Sequence, residues 1–115
     1  MADDQTTIAD LRARVKAFVT ERDWAQFHSP KNLSMAIAIE AAELMEHFQW
    51  LTIEESESLI EEGATRGQVI DELADVLIYC FSLANALDVD LSEAIVGKLA
   101  HSARKYPADE YRGRF

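Results

Sequence analysis

A single cysteine, two prolines and four glycines are all that the 115 residues contain of the types that staple, break or bend a chain. One thiol, Cys80, cannot close an intrachain disulfide, and its place in the most apolar stretch reads as a buried core group. There is no cluster of Cys and His to hold zinc, no H-E-x-x-H, and no Gly-rich loop of the kind that cradles phosphates. Positive charge is scarce as well: 11 Lys and Arg stand against 21 Asp and Glu, a net charge of −10. Such a balance argues against unspecific binding to a nucleic-acid polymer, which draws its affinity from basic side chains. It leaves room for a small phosphorylated ligand, because a bound metal can supply positive charge locally. The stretch MADDQTTIADLRARV has none of the apolar segment of a secretory signal, and the apolar run at 76–87 is too short and too interrupted to cross a bilayer. A cytoplasmic location with no membrane partner is expected.

Neither Gly nor Pro interrupts Gln68–Leu87, QVIDELADVLIYCFSLANAL, which predicts a helix of about five turns. From Val69 onward it is apolar on nearly every face, the pattern of a buried helix. Yet Glu72 and Asp75 sit three residues apart on one side of it. A second predicted helix repeats the pattern: MAIAIEAAELMEHF sets Glu40 and Glu43 three apart among Ala, Ile, Leu and Met. Burying carboxylates is costly unless a cation meets them. Two such pairs facing each other make a cup of four carboxylates, whose simplest partner is a hard divalent cation, Mg2+ first and Mn2+ as the alternative. Neither helix carries the Glu-x-x-His pair of a di-iron bundle.

The remaining segments predict an all-α fold, a bundle of four to five helices in one domain over 1–115 with a flexible tail at 108–115. Helices are expected over Thr7–Arg22, capped by Thr7 or Thr6, and over Asn32–Trp50. A short acidic helix is expected at 53–63, with Glu54, Glu55, Glu57, Glu61 and Glu62 as a solvated face, and a last helix at 91–106. Thr65 is the expected cap of the central helix, and Asp90 or Ser92 that of the last. A subunit this small cannot cover so apolar a helix, so oligomerisation is expected to complete the bundle. Trp24, Phe27 and His28 precede Pro30 in a short segment. The two aromatics read equally as core anchors or as a stacking surface for a nucleobase, and the histidine reads first as a structural group. Lys98, Arg104 and Lys105 suit a helix C-terminus whatever the function, and are also placed to meet a polyphosphate.

The segments RDWAQFHSPKNL, EHFQW, DELADVLIY, VDL and RKYP, in that order, resemble the all-α nucleoside triphosphate pyrophosphohydrolases of the MazG-like superfamily, and within it the dCTP pyrophosphatase branch. The resemblance spans about residues 10–107. It implies a homo-oligomer, in this branch a tetramer built from dimers. It implies Mg2+-dependent cleavage between the α- and β-phosphates of a nucleoside triphosphate, releasing the monophosphate and pyrophosphate. It places Glu40, Glu43, Glu72 and Asp75 as metal carboxylates with a catalytic role; among them Glu43 is taken as the one nearest the attacking water. Trp24 and Trp50 then match aromatics of the base pocket, Asn32, after Lys31, a position near the ligand, and Lys98 a phosphate-side lysine; Tyr79, one turn beyond Asp75, and His28, Lys31 and Lys105 are counted with them as expected substrate-binding residues. Where the family often has Asn four residues before its Tyr-Pro, this chain has Ser102, shorter and without an amide. That change bears on which nucleotide is preferred; deoxycytidine triphosphate or a base-modified form is the first expectation.

The spacing also admits a non-catalytic helical module, its apolar helix an oligomer seam and its acids a face for a basic partner. A third reading is a phosphohydrolase that cuts a different bond and releases orthophosphate.

Overall fold

Thr7 opens the first helix by supplying what a helix end lacks. Its Oγ1 accepts the Asp10 N–H at 3.1 Å, while the Asp10 carboxylate accepts the Thr7 N–H at 3.0 Å. The computed structural model describes residues 1–61 and 63–114. Among the described residues the regular structure is helical, with no strand. In order come α1 (Ile8–Glu21), α2 (Pro30–Glu46), α3 (Ile53–Ser58), α4 (Gly63–Leu87), α5 (Leu91–Lys105) and α6 (Ala108–Tyr111). None of the described helices is long and apolar enough to cross a membrane.

Several ends differ from the sequence-based expectation. α2 starts at Pro30, two residues early, because the first helical position needs no N–H and proline has none to offer. Ser29 caps it, its Oγ accepting the Asn32 N–H at 3.1 Å. The helix stops at Glu46, and 47–50 is a turn instead of a last helical turn. α4 begins at Gly63, so Thr65 lies inside it and is not its cap. Asp90 does cap α5, accepting the Glu93 N–H at 2.8 Å. The acidic helix is cut to α3 and followed by a 3-10 turn, Leu59–Glu61. Glu54, Glu55, Glu57 and Glu61 are exposed, as expected, whereas Glu62 lies outside the described residues. The expected tail at 108–115 contains α6, and Phe115 lies outside the described residues.

α4 is the axis. α2 packs along it most extensively and α1 next, while α5 has no packing of comparable extent against any of them. The result is a thin core. Among the described residues only Leu33, Ala84 and Ser82 are buried, at 1%, 5% and 7% exposure. Leu33→Ala is therefore expected to cost about 2–5 kcal/mol, read as a fall in Tm, because no other large side chain fills that position. The apolar half of α4 was expected to be buried; in one chain Leu77 is 47% exposed and Ile78 41%. The accessible surface is 9037 Å², where a compact monomer of 12.9 kDa would show about 6,300 Å². The radius of gyration is 17.1 Å, against about 13 Å for a compact domain of this length. The single chain is thus extended for its length.

Candidate active site

The packing of α2 on α4 brings the two acidic pairs together. Glu40, Glu43 and Glu72 each place a carboxylate oxygen so that all three lie within 4.8 Å of one another. Oε2 of Glu40 and Oε2 of Glu72 are shielded from solvent and have no hydrogen-bond partner in the protein. Asp75, one turn beyond Glu72 and half-buried, lines a cavity of about 210 Å³ together with Glu40.

Crowded acids hold their protons. Loss of water pushes the Glu40 carboxyl up to about 7, and hydrogen bonding to Glu43 and then the charges of Glu43, Asp75 and Glu72 add to the effect. Glu72 is raised too, by loss of water first and by Glu43 second, with His47 opposing. A group that supplies positive charge and accepts only oxygen ligands would relieve all of this at once. The donor set is wholly carboxylate, with two buried oxygens lacking partners, and so fits a hard divalent cation.

The same cavity is walled by Phe18, Trp24, His28, Tyr79 and Ser82. Trp24 stands edge-on to Phe18 at 5.8 Å between centroids, and the His28 ring lies 6.3 Å from Tyr79, tilted 58°. Three residues singled out in the sequence, Trp24, His28 and Tyr79, thus meet the carboxylates in one place. The single chain does not bring the others there. Trp50 is 86% exposed, and the Asn32 amide donates to the Phe27 carbonyl at 3.0 Å. Lys105 stands over the Tyr106 ring at 5.3 Å. Neither these three nor Lys31, Lys98 or Ser102 lines that cavity.

Phe18 and Val19 on α1, and Ser82 on α4, were not read as site residues from the sequence; α1 was taken as packing alone. A signal did exist on α4, where Glu72, Asp75, Tyr79 and Ser82 fall at steps of three and four, one continuous helix face.

A family model described as MazG-like matches residues 35–114, a span that includes all four acids. The chain belongs to the MazG-like family. Among similar proteins of known name, dCTP pyrophosphatase 1 of Bos taurus is 39% identical over 109 residues, covering 95% of this chain and 64% of that protein. The Homo sapiens protein of the same name is 41% identical over 104 residues, covering 90% of this chain and 61% of that one. The chain therefore spans less than two thirds of the length of these relatives. A crystal structure of a pyrophosphatase from Archaeoglobus fulgidus superposes with a TM-score of 0.81 at 38% identity, over 87% of this chain and 92% of that one. Membership accounts for an all-α fold with its acids on two paired helices.

Proposed function

We propose that this MazG-like chain hydrolyses a deoxynucleoside triphosphate, dCTP or a base-modified dCTP, between the α- and β-phosphates to give the monophosphate and pyrophosphate. Mg2+ is the proposed cofactor, held by Glu40, Glu43, Glu72 and Asp75. The observation that carries the reading is the meeting of three carboxylates within 4.8 Å beside an aromatic-walled cavity. The names of the relatives point the same way.

When bound, the cation would offset the acids' mutual repulsion and polarise a phosphoryl oxygen. The chain's own residues do the rest. Trp24 and Tyr79 line the cavity and offer aromatic surface on which a flat ring would stack. Glu43 is the exposed member of the trio, which supports its carboxylate as the group that takes a proton from water entering from solvent.

We propose further that the working form is a homo-oligomer, a tetramer built from dimers. The surface in excess of a compact monomer supports it, as does the open apolar face of α5, where Ile95, Val96 and Leu99 are 53%, 67% and 64% exposed. In such an assembly Trp50, Lys98, Ser102 and Lys105 are candidates to reach substrate across a subunit boundary.

The test is a panel of common and base-modified deoxynucleoside triphosphates with Mg2+, assayed for pyrophosphate. Pyrophosphate with a monophosphate is the expected product pair. Orthophosphate release, or no turnover with any member of the panel, overturns the reading.

The acids also set a pH dependence. Folding without metal favours protonated Glu40, whose pKa is raised, so its contribution to stability is full below its unfolded value and is lost as pH climbs through about 7. Metal-free Tm should fall between about pH 5 and pH 8, and the rise in Tm on adding Mg2+ should grow over the same range. Thermal melts with and without MgCl2 check both signs.

A further inference from the structure

A second cavity of about 260 Å³ adjoins the one beside the carboxylates, and the two share Val19, His28 and Ser82 as common lining. Its lining also includes Lys16 and Asn85.

Two groups at this shared boundary are anomalous. The Ser82 side chain is 7% exposed, and its Oγ has no hydrogen-bond partner in the protein. A serine inside a helix ordinarily donates back to a carbonyl three or four residues earlier. Ser34, Ser56 and Ser58 all do so here, to Lys31, Ile53 and Glu54 at 2.7, 2.6 and 3.1 Å. Ser82 does not. His28 Nδ1 is likewise buried without a partner. Asn85, by contrast, is committed: its Oδ1 accepts from Arg12 Nε at 3.0 Å and its amide donates to the Arg12 carbonyl at 3.2 Å. Of the three residues that both cavities share, the two polar ones, His28 and Ser82, thus each carry an unpaired hydrogen-bonding atom. Leaving a hydroxyl buried and unpaired destabilises the fold, so a ligand that pairs with it gains what the apo protein lacks.

Position adds direction. Ser82 follows Asp75 by seven residues on the same face of α4, about 10 Å along the helix. With the triphosphate at the acids and the ring against Trp24 and Tyr79, Ser82 lies at the far end of the nucleotide.

We infer that Ser82, with His28, is a specificity-determining residue that hydrogen-bonds a polar substituent on the base reaching into the second cavity. The inference rests on the nucleotide reading above and names the substrate class within it: a pyrimidine nucleotide whose base bears a hydroxyl-type group in place of an apolar one. Ser hydroxyl and neutral imidazole can each donate or accept, so together they satisfy a hydroxyl in both its roles. A site built around such a bond rejects an analogue that leaves it unpaired.

The test uses two nucleotides that differ by one hydroxyl, the 5-hydroxymethyl and 5-methyl deoxycytidine triphosphates, with the full chain and its Ser82→Ala variant. The ratio of the two is read within each protein, which cancels any general loss of activity. Wild type should favour the hydroxymethyl nucleotide by about tenfold or more in kcat/KM, and Ser82→Ala should bring the ratio close to one. Ser82→Ala should also raise Tm, since it removes an unpaired buried hydroxyl and inserts a better helix former. Calorimetric binding of the two matching monophosphates reads the same ratio without turnover. Equal affinity of wild type for both, or a preference unchanged in Ser82→Ala, overturns the inference even if pyrophosphate is released from both. Binding of neither monophosphate, together with turnover of neither triphosphate, also overturns it. A binding preference that depends on Ser82, with no pyrophosphate from any nucleotide, upholds it and overturns the hydrolase reading instead.

Discussion

Glu43→Gln is expected to lower pyrophosphate release about 10³-fold with the fold intact. The side chain is exposed, so no packing is lost. On the proposed reading, what is lost is one ligand oxygen of the trio and the carboxylate that accepts a proton. The variant has a second signature that a purely structural role would not give. Glu43 helps to hold Glu40 and Glu72 protonated, by hydrogen bonding and by its charge. Its neutralisation should lower both carboxyl pKa values and flatten the fall of metal-free Tm with rising pH. Activity disappears while the metal-free protein becomes no less stable. Unchanged turnover, or collapse of the fold, would count against the assignment. Asp75→Asn should behave alike in activity.

Replacing Val96 and Leu99 together with Asp should dissociate the assembly to single chains of 12.9 kDa, seen by sedimentation. In an isolated chain these side chains are already in water, and the substitution would change stability by a few tenths of a kcal/mol. If they instead sit at the centre of an interface, each is worth about 2 kcal/mol or more. Two buried, unpaired charges then end association. Tm should drop with the loss of the partner, and activity with it if Lys98 and its neighbours act across the boundary. A double variant that stays assembled would place the contact on another face.

The carboxylate site was legible in the sequence because its signal is local. Acids three apart inside an apolar helix have no ordinary reason to be there, and two such pairs have less. Thr7 and Asp90 were readable as caps for the same reason, since a cap is made within four residues. Ser82 was not legible. A serine amid Cys, Phe and Leu looks like a tolerated small residue, and only the approach of α1 turns it into shared lining of two cavities. Phe18 and Val19 were hidden by the same fact, because lining a site and packing a core use one apolar pattern. Trp50 was named from resemblance and the basic residues of α5 partly from their charge, and one chain does not bring Trp50, Lys98 or Lys105 into the cavity beside the acids. The shift of the α2 start to Pro30 is a smaller lesson: a proline that forbids helix before it is well suited to begin one.

The proposed divalent cation, held by Glu40, Glu43, Glu72 and Asp75, would offset the burial and crowding that raise the Glu40 and Glu72 carboxyls. Calorimetric titration of MgCl2 into the metal-free protein at about pH 8, without nucleotide, tests this most directly. Saturable binding, accompanied by proton release that grows as the pH is lowered toward about 7, and abolished by Glu40→Gln with Glu72→Gln, is the predicted result. Binding that survives the double substitution, or none in the native protein, would contradict it.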